Sequence, residues 1–110
     1  MEGIYLRIFT TENQKHNGIL FYEWLLEKAK SLGLHGGSAF RAVAGFGRHG
    51  RLREQSFLEL APDLPVEVVF LLSPEEVDKL IAVIDEERLA LLYVKSVVEW
   101  GFTAGRMAGN

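Results

Sequence analysis

Nine residues, Gly45 to Arg53, hold the densest set of anion-binding groups in this 110-residue chain. They read Gly-Phe-Gly-Arg-His-Gly-Arg-Leu-Arg and contain three of the eleven glycines, one of the three histidines, three arginines and no acid. Glycines let the backbone approach a ligand, amides in a tight turn form an anion nest, and arginine offers a planar fork of donors to phosphate or carboxylate. The candidate ligand contacts are Arg41, Gly45, Phe46, Gly47, Arg48, His49 and Arg51. Each has a plainer alternative. Gly45, Gly47 and Gly50 could form a strand-ending bulge. Arg48, Arg51 and Arg53 could pair with Glu54 or Glu59, and Arg41 serves either the same site or a structural ion pair.

The charge around this loop is uneven. From Lys28 to Arg53 there are six basic residues and no acid, while the rest of the chain holds six basic residues and all fifteen acids. An acidic protein with one basic sector focuses a small anion better than it coats nucleic acid, which favours an extended positive surface. Length allows one domain with a single core, and a hydrophobic fraction of 48% with 25% charged residues is that of an ordinary globular protein. With no cysteine, neither a disulfide framework nor a thiolate metal site is available. No leader or membrane-spanning run is read, so the expected location is cytoplasmic, without direct membrane insertion.

The elements that must position the loop follow from periodicity. Ile4, Leu6 and Ile8 alternate with Tyr5, Arg7 and Phe9, which predicts a strand over 3–10. Asn17-Gly18 marks a turn. Phe21, Leu25, Ala29 and Leu32 recur at helical spacing up to Gly33, which suits a left-handed residue past the helix end. Leu20, Trp24 and Leu26 fall off that stripe and point to contacts beyond the core. A second strand is expected over 38–46, opened by Gly36-Gly37. Residues 52–60 have a strand-like pattern, and Val66 to Leu72 form the third strand. Ser73-Pro74-Glu75-Glu76 reads as a capping box with proline in the first turn, so a helix runs on to about Arg88. Tyr93 to Trp100 is the fourth strand, and 101–110 is expected to be a flexible tail beyond a domain of 1–100.

This βαββαβ order predicts an α+β, ferredoxin-like fold, a four-stranded antiparallel sheet with two helices on one face. The first and third strands are apolar on both faces, whereas two helices cover only one. An uncovered apolar face of that size predicts self-association through the open sheet.

At this point the sequence resembles the DUF190 family of PII-like proteins over nearly its whole length to Trp100. The resemblance rests on Tyr5-Leu6-Arg7-Ile8, Asn17-Gly18 leading into Leu20-Phe21-Tyr22-Glu23, Glu27-Lys28-Ala29-Lys30 through Gly33-Leu34, Arg41 with Gly45-Phe46-Gly47, and Asp63-Leu64-Pro65-Val66. More broadly it resembles the PII signal proteins, whose flexible loop begins Gly-Phe-Gly-Arg, here Gly45-Phe46-Gly47-Arg48. That likeness implies a homotrimer binding a small anionic metabolite, an adenine nucleotide by preference, at clefts between subunits. It also implies a partner, a membrane transporter or an enzyme, reached through loop 47–64. Two departures bear on the ligand. PII proteins continue Gln-Lys-Gly where this chain has His49-Gly50, and their second glycine-rich loop has no counterpart in Glu87 to Leu92. The loop's modifiable tyrosine also has no clear counterpart. The expected ligand is therefore an anion, without commitment to magnesium-ATP.

Other classes are weaker. No serine elbow or cysteine nucleophile is present, and Thr10 to Asn17 lacks the glycine and arginine of an acylphosphatase loop, so no enzyme is expected. His16, His35 and His49 stand in separate segments with no ligand spacing, so no metal site is expected. The alternative function is a trimeric metal-tolerance or structural protein resembling CutA. RNA binding is disfavoured because Gly45-Phe46-Gly47 ends the second strand and the third bears one aromatic residue, Phe70. Trp24 and Trp100 are read as packing residues.

Overall fold

The computed structural model describes residues 1–46 and 63–105. The predicted first strand is β1, Glu2–Thr11, and a short hairpin follows, β2 (Lys15–His16) and β3 (Ile19–Leu20). Its turn is Asn17-Gly18, both at positive φ (53° and 85°), the pair of left-handed residues that a two-residue hairpin requires. Helix α1 is Phe21–Ser31, β4 is Ser38–Arg41, β5 is Pro65–Leu72, α2 is Pro74–Glu86 and β6 is Leu92–Glu99. The main sheet is antiparallel in the order β4-β5-β1-β6. Apart from the hairpin, this is the predicted ferredoxin-like arrangement.

The strand period sorts the two faces. Leu6 lies opposite Phe70 and Ile8 opposite Val68, and these four are buried with Val66 and Leu72. Phe21, Leu25 and Ala29 of α1, with Val77, Leu80 and Ile84 of α2, close on them to make one core. The other face carries Tyr5 opposite Leu71 and Arg7 opposite Val69. Tyr5 is 37% and Leu71 43% exposed, so the open sheet presents apolar groups as its sequence predicts. At its centre Arg7 pairs with Glu67 and lies over the Phe9 ring. The bond to the Glu67 carboxylate, together with its charge, raises the Arg7 pKa above the ordinary guanidinium value.

Two expectations are corrected here. Strand two stops at Arg41 rather than at residue 46. Its partner strand begins at Pro65, and after Ala42 N–H donates to Pro65 O at 2.8 Å there is no further ladder to join. Proline, having no N–H, cannot return a bond at that position. Trp24 is a packing residue as expected, but it packs into the core rather than beyond it. It is buried in the core, stacked with Phe21 at 5.8 Å and met edge-on by His16 at 4.7 Å. Leu26 packs against the same core. The hairpin folds back over α1, and that is what covers the indole.

Candidate functional site

Three segments meet at the end of the sheet where β1 finishes. Glu12, one residue past β1, donates its backbone N–H to Leu64 O at 2.8 Å, and its carboxylate accepts from Arg41 Nη1 at 2.8 Å. Arg41 ends β4, and Leu64 precedes β5. The chain that leaves β4 stays close to the chain that returns. A β-carbon on Gly45 would lie 3.3 Å from the Pro65 ring, a tight contact that the ring would have to ease slightly. Glu12 therefore joins both ends of the connection that contains the Gly-Phe-Gly-Arg segment.

Beside this junction lies a hollow of about 200 Å³, lined by Glu12, Tyr22, Ala39, Phe40, Arg41 and Val66. Arg41 is 60% exposed and Glu12 26%, so the cation is accessible from solvent and the carboxylate is the more enclosed partner. Chemically the hollow offers a guanidinium for an oxyanion, with Tyr22 among its lining residues. A larger groove of about 750 Å³ opens at the opposite end of the sheet, with His35, Tyr5, Leu71, Trp100 and Phe102 among its lining. Among the described residues its lining holds two glutamates and neither arginine nor lysine.

The predicted site residues divide accordingly. Arg41, paired with Glu12, and Gly45, against Pro65, both lie in the described start of the connection, and Phe46 follows, 79% exposed. Gly47, Arg48, His49 and Arg51 lie outside the described residues, as do the strand-like 52–60 and the end of the tail. The ion-pair reading of Arg41 is the one seen. Glu12, Tyr22 and Val66 were not among the predicted contacts. The period-two pattern that puts Ile8 and Thr10 on the covered face places Glu12 there too when carried past the strand. Arg41 reaches the same face through its pairing with Val66, which lies opposite Thr10.

The same end holds a second long-range link. His16 Nε2 lies 2.8 Å from Glu87 Oε1, tying the hairpin to the end of α2. Glu87 begins the connection to β6, the stretch that has no glycine. Among the described residues no group of three or more His, Asp or Glu is placed to hold a metal, and no helix is long and apolar enough to cross a membrane.

Residues 3–98 match the family model DUF190, described as an uncharacterized ACR. A UPF0166 protein of Aquifex aeolicus is 36% identical over 92 residues, which is 84% of this chain and 88% of that protein. Among solved structures, the fold matches CPII, a nitrogen regulatory PII-like protein from Thiomonas intermedia K12. With CPII bound to ADP, AMP and bicarbonate, the TM-score is 0.61 at 17% identity, covering 94% of this chain and 97% of the other. With CPII bound to ADP and bicarbonate, it is 0.62 at 19% identity, covering 93% and 91%.

Proposed function

The chain belongs to the DUF190 family, and from that premise we propose that it is a PII-like regulatory protein. In this reading it binds an adenine nucleotide or another small anion at the loop-base end of the sheet and acts on a partner through residues 47–64. The clefts lie between subunits of a homotrimer whose open sheets face one another. No reaction is catalysed, and the partner is a transporter or an enzyme of the cytoplasm.

The observation that carries this reading is the junction of Glu12, Arg41, Gly45 and Pro65. It supports the reading because the Arg41 cation and the Gly45 backbone both lie near the start of the Gly-Phe-Gly-Arg segment. The ligands of CPII indicate which anions to test first. The mechanism is a shift in population: ligand favours one arrangement of the loop by binding it more tightly than the others, and so changes the surface shown to the partner. The apolar open face, with Tyr5 and Leu71 exposed, supports the subunit arrangement, since a monomer seldom leaves such a face in water.

Isothermal titration with ATP, ADP, AMP, cyclic nucleotides and bicarbonate tests the ligand. Heat is expected with at least one of them, and it should fall about tenfold or more in affinity in Arg48→Ala. Absence of heat with every compound rejects the reading. The mass in solution tests the assembly: three times the 12.4 kDa chain is expected, whereas 12.4 kDa alone removes the cleft.

A further inference from the structure

We propose that Glu12 is an internal competitor for the anion site: its carboxylate occupies Arg41 until an external oxyanion, phosphate or carboxylate, displaces it. This rests on the reading of the loop-base end as an anion site, and it assigns that site a resting state and a residue that controls it.

The geometry supplies the argument. Among the described residues Arg41 has one partner, the Glu12 carboxylate, which engages a single guanidinium nitrogen. A guanidinium has five N–H donors in a fixed fork and can take a bidentate oxyanion. Among the described residues one glutamate bonds it, through Nη1 alone, and leaves the other donors open to a ligand, and a hollow whose lining includes Tyr22 and Phe40 lies beside it. The pair does little for the fold, because an ion pair as exposed as this one contributes little in water. Its removal by a ligand is therefore easy.

The displacement has a structural consequence. The residue whose side chain is released is the residue whose backbone N–H holds Leu64 O, at 2.8 Å. Arg41 lies on the strand that enters the loop and Leu64 on the segment that leaves it, so Glu12 is the element they share. An oxyanion on Arg41 repels the Glu12 carboxylate, and the exit of the loop responds through the backbone bond. Because coupling is reciprocal, a partner that holds the loop exit also changes the affinity for the anion.

The test follows the arginine side chains by NMR in full-length protein, titrating with pyrophosphate and, separately, with ADP. The Arg41 Nε–H resonance is assigned by its loss in Arg41→Gln. Pyrophosphate is expected to shift it, together with the Glu12 backbone amide. In Glu12→Gln, which keeps the backbone bond and removes the competing charge, half-saturation should come at about two- to fivefold lower pyrophosphate, the range an exposed pair allows. Glu12→Asp, which restores a carboxylate, should return half-saturation toward the wild-type value. An Arg41 resonance that does not move in Glu12→Gln overturns the proposal, as does affinity equal to or weaker than wild type. If pyrophosphate moves Arg41 and ADP does not bind, the competitor stands and the nucleotide reading falls. If ADP binds without moving Arg41, the nucleotide reading stands and the competitor falls.

Discussion

Helix α1 begins without a side-chain cap and ends on Gly33, held at φ 85°, whereas α2 begins with a complete capping box and ends on Arg88, held at φ 60°. The two helices thus specify opposite ends. At the end of α1, Gly33 N–H donates to Lys30 O and Leu34 N–H to Ala29 O, 3.0 and 3.1 Å, the Schellman pair with glycine in the left-handed position. At the start of α2, Ser73 accepts from the Glu76 amide and Glu76 accepts from the Ser73 amide. Those two locally coded ends lie at one end of the sheet. The other two, the uncapped start of α1 and the arginine-capped end of α2, lie at the end that holds Glu12 and Arg41.

At the site end α2 closes with the same bond pair, Arg88 N–H to Asp85 O and Leu89 N–H to Ile84 O, and contacts between elements are added to it. Phe21 N–H, which no side chain caps, donates to Gln14 O at 2.7 Å across the hairpin. Glu87, just past α2, reaches His16, 71 residues away in sequence. The site end is held by interactions between elements, so its parts can shift relative to one another without unwinding a helix. Such an end is suited to responding to a ligand, and the other end is suited to holding the fold.

The comparison breaks first at Gly33. Replacing it with alanine puts a β-carbon on a left-handed residue, which destabilises by about 1–2 kcal/mol, although no atom lies within 4 Å to clash with the new carbon. Urea unfolding measures it, and a change near zero would mean that the φ of 85° is not a constraint. Arg88 makes the opposite prediction. Glycine there removes the left-handed strain and adds backbone entropy to the unfolded chain, for a net gain of about 0.5–1 kcal/mol. Arg88→Gly should therefore raise the urea midpoint while Gly33→Ala lowers it. Equal signs would show that the two helix ends are not alternative solutions of one motif.

This division also explains what the sequence revealed. Strand period, the Asn17-Gly18 turn, Gly33 and the Ser73 to Glu76 box are short-range signals, and each marked its element to within two or three residues. The hairpin was missed because its strands are two residues long, too short for a period, and Trp24 was misplaced in consequence. Strand two was drawn too long because Ala42, Val43 and Ala44 continue its alternation, while its end is set by Pro65 on another strand. At the site, Arg41 and Gly45 were visible as residue types. Glu12 was hidden in a polar connection because its role depends on meeting Arg41, 29 residues on.

The smallest predicted effect is the most direct measure of the site end. His16 and Glu87 are 13% and 35% exposed, and their bond joins the hairpin to the connection that follows α2. A double-mutant cycle of His16→Ala and Glu87→Gln should give a coupling of about 0.5 kcal/mol, the scale of a partly exposed polar pair. That is too small to threaten the fold, yet it should have a local signature. If the pair anchors the hairpin to α2, Glu87→Gln will speed amide exchange at Phe21, whose bond to Gln14 depends on the hairpin, and leave Leu34 and Glu76 unchanged. Equal acceleration at all three amides would mean that the two ends of the sheet open together. The contrast between the helix ends would then describe how they are coded but not how they move.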